Sequence, residues 1–119
     1  MTLASSVRPP PEGLVVLLEQ RLPGVFRAFF ERIDAALAGL NVTVTSWWRD
    51  QQTNADVGGA QLSQHLLGLA LDMVGPDQAA AAKRLREAGL IVLEHSVPGG
   101  RLHLHVQAFP AGFLKLVFG

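Results

Sequence analysis

The chain contains no cysteine. That excludes a disulfide framework and any thiolate ligand, so a metal bound here has only imidazole and carboxylate to hold it. Net charge is also absent, because ten basic residues balance ten acidic ones. Nucleic acid and anionic membrane surfaces select a basic excess, so neither is an expected partner. No apolar run approaches the roughly 20 residues of a membrane-spanning helix, so no membrane span is expected. Residues 1–11, ending in Pro9-Pro10-Pro11, lack the charged start and apolar segment of a secretory signal. The expectation is a protein made in the cytoplasm with no signal peptide. The prolines make 1–11 an extended N-terminal arm.

What is present suits one domain over residues 12–119. Apolar residues are 49% of a 119-residue chain, enough for a real core. Residues 12–22 predict a short helix stopped near Pro23, and residues 24–39 a stronger one, with Phe26, Phe29, Phe30, Ile33 and Leu37 at helical spacing. The β-branched run from Asn41 to Trp48 predicts a strand whose Val42, Val44 and Ser46 share one face. Residues 50–62 read as a polar loop, with a helical turn near Gln51–Asp56 and Gly58-Gly59 allowing close backbone approach. Asp77 to Gly89 predicts a helix and Leu90 to Val97 a strand. Pro98-Gly99-Gly100 predicts a hairpin turn into a final strand at 101–107. The segment from Phe109 onward reads equally as a last strand or a docked tail. The fold class expected is α+β, a small, mostly antiparallel sheet with helices on one face and a site on the other.

Chemistry concentrates in two short segments. The stretch Leu69-Ala70-Leu71-Asp72-Met73-Val74 is apolar apart from its aspartate, and reads as a buried strand. An ionised carboxylate there costs several kcal/mol unless a cation compensates it. Arg49 is a cation that could approach in space. In Arg101-Leu102-His103-Leu104-His105-Val106-Gln107 the residues alternate, so both histidines leave the same face of a strand. With His65, seven positions before Asp72, these are neutral imidazoles and a carboxylate, the donors of a zinc site with a position left for water.

The segments Ser46-Trp47-Trp48-Arg49, Asn54-Ala55-Asp56-Val57-Gly58-Gly59 and Ser63-Gln64-His65-Leu66-Leu67-Gly68-Leu69-Ala70-Leu71-Asp72 follow S-x-x-R, N-x-x-x-G-G and S-x-H-x-x-G-x-A-x-D. In these the chain resembles the zinc D-Ala-D-Ala carboxypeptidases and peptidoglycan endopeptidases, a superfamily that also holds lysostaphin-type endopeptidases and the hedgehog signalling domain. The likeness is close over 46–72 and looser over 103–107. It implies zinc held by His65, Asp72 and His105. It also implies a peptidoglycan peptide as substrate, cut by D,D- or L,D-carboxypeptidase or endopeptidase action. Arg49 would clamp a substrate carboxylate or carbonyl, with Ser63 and Trp48 at the substrate. The enzyme would act on the cell wall after release or as part of a phage particle. The alternative within the same fold is a non-catalytic zinc-binding module.

Peptide hydrolysis also needs a base for the proton of the attacking water. Many relatives carry a glutamate three residues before the last zinc histidine, where this chain has Leu102. In relatives with an HxH strand the first histidine serves, which points to His103. Glu94 is the second candidate and depends on hairpin register. A two-residue turn at Gly99-Gly100 sets Glu94 opposite His105, with Ile91, Leu93 and Val97 on the apolar face of Leu102, Leu104 and Val106. A three-residue turn instead sets His95 opposite His103. Apolar matching favours the first register and leaves His95 structural or exposed.

Overall fold

The computed structural model describes residues 2–57, 63–96, 102–113 and 115. The elements run β1 (Thr2–Leu3), α1 (Glu12–Arg21), α2 (Val25–Leu37), β2 (Thr43–Ser46), α3 (Gln51–Asp56), a 3₁₀ turn (Gln64–Leu67), β3 (Ala70–Val74), α4 (Gln78–Glu87), β4 (Ile91–His95) and β5 (His103–Gln107). The strands form one sheet in the order β1-β2-β3-β5-β4. Among the described residues only the β1–β2 pair is parallel; the other pairs are antiparallel. This is the α+β architecture expected from the alternation of helical and strand periods. Among the described residues no helix is long and apolar enough to cross a membrane.

Period two divides the sheet into a core face and a site face. Val44, Leu71, Met73, Val92, Leu104 and Val106 point to the core, against Phe26, Phe29, Ile33 and Leu37 of α2 and Ala81, Ala82 and Leu85 of α4. Leu71, Met73, Leu104 and Val106 are buried almost completely, which stabilises by about 1.5–3 kcal/mol for each such side chain. The opposite face carries Ser46 on β2, Ala70 and Asp72 on β3, Ile91, Leu93 and His95 on β4, and His103, His105 and Gln107 on β5.

Three expectations are corrected. Val44 lies opposite Met73, but Ser46 lies opposite Asp72, so β2 advances two residues while β3 advances one. This bulge turns Ser46 from the core face, where plain alternation would put it beside Val44, onto the site face. Residues 2–3 of the N-terminal arm are the second departure, adding β1 as an edge strand on β2. The third is the hairpin register. Leu93 lies opposite His105, Glu94 opposite Leu104 and His95 opposite His103. Glu94 is therefore removed from the site face and His95 joins it. Leu90-Ile91-Val92-Leu93 is apolar without a break, so either register buries greasy residues and apolar matching could not choose. The Pro98-Gly99-Gly100 turn, the Gly58-Gly59 pair and most of the segment after Phe113 lie outside the described residues.

Candidate metal centre

The centre is built on the turn that delivers His65. Ser63 Oγ accepts from the His65 backbone N–H at 3.2 Å and caps the 3₁₀ turn. Gly68 closes the turn with φ of 73°, a left-handed conformation that glycine adopts without penalty. Three successive residues after β2 grip this turn from the side. Trp47 Nε1 donates to the Gly68 carbonyl at 2.8 Å, Trp48 Nε1 to the Leu66 carbonyl at 3.0 Å, and the Arg49 backbone N–H to the His65 carbonyl at 3.1 Å. Trp47 packs edge-on against Phe30 at the core, while the Arg8 guanidinium lies over the Trp48 ring. A Cβ on Gly68 would also come within 2.8 Å of Pro10. Gly68→Ala should therefore cost about 1–3 kcal/mol from the left-handed backbone alone, with zinc affinity falling as the His65 turn shifts. Thermal denaturation with and without zinc checks this; an unchanged melting temperature would show that the turn relaxes freely.

His65, Asp72 and His105 meet at one point, all three buried. Each offers a ligand atom, and these atoms all lie within 4.8 Å of one another. His65 Nε2 and His105 Nδ1 each lie 3.2 Å from Asp72 Oδ1. The far nitrogens decide what those near nitrogens carry. His65 Nδ1 is 2.5 Å from the Trp47 carbonyl oxygen, which can only accept, so Nδ1 holds the proton. His105 Nε2 is 2.7 Å from Gln107 Oε1. The Gln107 amide is oriented by its own donation to the Phe109 carbonyl at 2.7 Å, so its oxygen faces the imidazole and His105 Nε2 also donates. In neutral rings both remaining lone pairs then point at Asp72 Oδ1. Two lone pairs facing a carboxylate oxygen repel unless a cation lies among them. The donor set, the fixed tautomers and the second-layer partners all fit a zinc ion.

The second oxygen of Asp72 faces the other way. Arg49 donates from NH2 to Asp72 Oδ2 at 2.5 Å, from Nε to Ser46 Oγ at 3.1 Å, and from NH1 to Asn54 Oδ1 at 3.5 Å. The bulge places Ser46 for this contact, and α3, capped by Asp50 on the Thr53 N–H at 2.7 Å, carries Asn54. Burial pushes the Asp72 carboxyl up. His105 and His65, wherever either ring carries a second proton and donates, and the Arg49 guanidinium outweigh it and hold the group below the usual carboxylate range.

His103 leaves the same face as His105, and His95 stands opposite it across the β4–β5 pair. The His95 ring stacks parallel to His105 at 5.5 Å between centroids and lies 5.6 Å from His103. With His65 5.1 Å from His105, all four histidines of the chain form one cluster. Burial first, then the neighbouring His105 and His103, hold His95 below the ordinary imidazole range. Leu93, 44% exposed, borders His105 on this face. Gln107 and the Trp47 carbonyl are site groups that sequence reasoning missed, and His95 is one that it weighed under the other register and set aside. Gln107 carried a signal, since two residues beyond His105 on a strand means the same face.

The profile of the peptidase M15 family matches residues 15–107. The chain belongs to that family. The match begins in α1 and ends with β5, so it takes in the His65 turn, Asp72 and the HxH strand together. Among curated proteins none matches the chain. Membership of a zinc-dependent peptidase family and a buried His–Asp–His triad able to hold a metal arise from separate observations. The matched span contains all three residues of the triad.

Proposed function

We propose that this M15 family member is a zinc-dependent peptidase that cleaves peptidoglycan peptides, by D,D- or L,D-carboxypeptidase or endopeptidase action. The observation that carries the reading is the pair of imidazoles whose far protons are tied, to the Trp47 carbonyl and to Gln107, with both lone pairs turned to Asp72. When bound, zinc supplies a Lewis acid for the water and the scissile carbonyl. The protein then has to hold the ligands, receive a proton and bind the peptide. Arg49 keeps Asp72 ionised and aimed. His103 takes the proton of the attacking water and returns it to the leaving amine. On this reading the enzyme acts on the cell wall, after release from the cytoplasm or as part of a phage particle.

The non-catalytic alternative draws on one observation. On the described strands Asp72 is the sole carboxylate of the site face, and Leu102 stands three residues before His105. Digestion of purified cell-wall sacculi separates the two readings. The zinc-loaded protein should release new amino groups, chelator should stop the release, and added zinc should restore it. A zinc-loaded protein that releases none is a module and not a peptidase. His103→Ala should keep its first equivalent of zinc and lose at least about 10² in rate. Parent-level turnover in that variant would remove His103 as the base.

A further inference from the structure

The register that removes Glu94 from the site creates a second histidine pair. His95 and His103 are direct cross-strand partners, so both imidazoles leave the sheet side by side on the site face. Their centroids lie 5.6 Å apart with planes at 66°. The His65–His105 pair, which spans the first site, has nearly the same geometry, 5.1 Å and 64°. Two rings bound to one ion through nitrogens at about 2.0–2.1 Å place their centroids on the order of 5 Å apart. The second pair is thus within a small side-chain adjustment of bridging an ion. It differs from the first in its free valence. Among the described residues neither the His95 nor the His103 ring makes a hydrogen bond, whereas His65 and His105 each have one nitrogen tied to a protein acceptor. His95 is exposed and His103 half-buried, so water can complete a coordination shell there.

We propose that His95 and His103 form a second divalent-metal site, suited to zinc and other ions that favour imidazole, next to the one held by His65, Asp72 and His105. It binds more weakly, because two neutral imidazoles supply no charge to offset the ion, while the first site has the Asp72 carboxylate. Occupying it engages the His103 nitrogens, so zinc in excess of the first equivalent withdraws the proposed base. Excess zinc therefore slows a reaction that the first equivalent supports. This last consequence rests on the peptidase reading; the binding itself does not.

The test is calorimetric titration of the chelator-stripped full chain with zinc alone, checked by equilibrium dialysis. The parent should take up two ions in two resolved events. His95→Ala and His103→Ala should each lose the weaker event and keep the tight one, and His65→Ala should lose the tight one. His95→Ala should also lose the inhibition of sacculus digestion by excess zinc. A parent that saturates at one ion overturns the second site and leaves the triad standing. So does a His95→Ala protein that still takes up two. A parent that binds no zinc overturns both sites.

Discussion

Removing the metal should abolish turnover and lower the melting temperature of the parent protein, and zinc should restore both. In His65→Ala zinc should restore neither. The stability effect follows from linkage: an ion that binds only the folded chain stabilises it by about 4 kcal/mol at a thousand times its dissociation constant. For a domain of this size that is a shift on the order of 10–20 °C. His65 is fully buried, so its replacement also leaves a cavity and lowers stability without any metal. The decisive readout is therefore the zinc-dependent shift within each protein, not the difference between proteins. A shift of similar size in His65→Ala would mean that zinc stabilises from elsewhere, and the triad would lose its assignment.

Arg49→Met should destabilise the metal-free fold by about 3–5 kcal/mol. The Arg49 and Asp72 side chains are 16% and 9% exposed, and their contact is 2.5 Å. Deleting the guanidinium strands a buried carboxylate and also leaves Ser46 without its partner from Arg49 Nε. Methionine keeps the stem's volume, so the loss reports charge and hydrogen bonding more than packing. The dependence on metal distinguishes this account from a general folding defect. Zinc on the Oδ1 side of Asp72 supplies a second cation to the same carboxylate, so the penalty should shrink in the zinc-loaded protein. Arg49→Lys should hold zinc but turn over poorly, because an ammonium cannot serve Ser46, Asn54 and Asp72 from one rigid fork. Denaturant unfolding of each variant with and without zinc checks this. An Arg49→Met penalty that is equal in both states would show that Arg49 and the ion do not share Asp72.

The correction at the hairpin shows where sequence reasoning stops. The pattern at 103–107 alternates, so the face of His105 was legible from period two alone. The run at 90–93 does not alternate. Its pairing depends on how many residues the turn consumes, and one residue decides whether Glu94 or His95 faces the site. The Arg49–Asp72 pair lies between these cases. A carboxylate inside Leu69–Val74 demands a cation, and Arg49 was a candidate for it. Its joint grip on Asp72 and Ser46 needed the bulge that brings Ser46 round.

The sequence by itself determined which residues could form the centre and which helices could cover the sheet. Side-chain direction along a strand or helix is a local property with a fixed period, and an apolar strand holding one carboxylate is a local anomaly. Tertiary structure alone decided the β2 bulge, the β4–β5 register, the tautomer of His65, and the gathering of all four histidines. Each of these rests on a partner distant in sequence or on a backbone carbonyl. The Trp47 oxygen that sets His65, 18 residues away, carries no side-chain identity to read. Such contacts exist only once the sheet has closed and the turn at 64–68 is held by Trp47, Trp48 and Arg49.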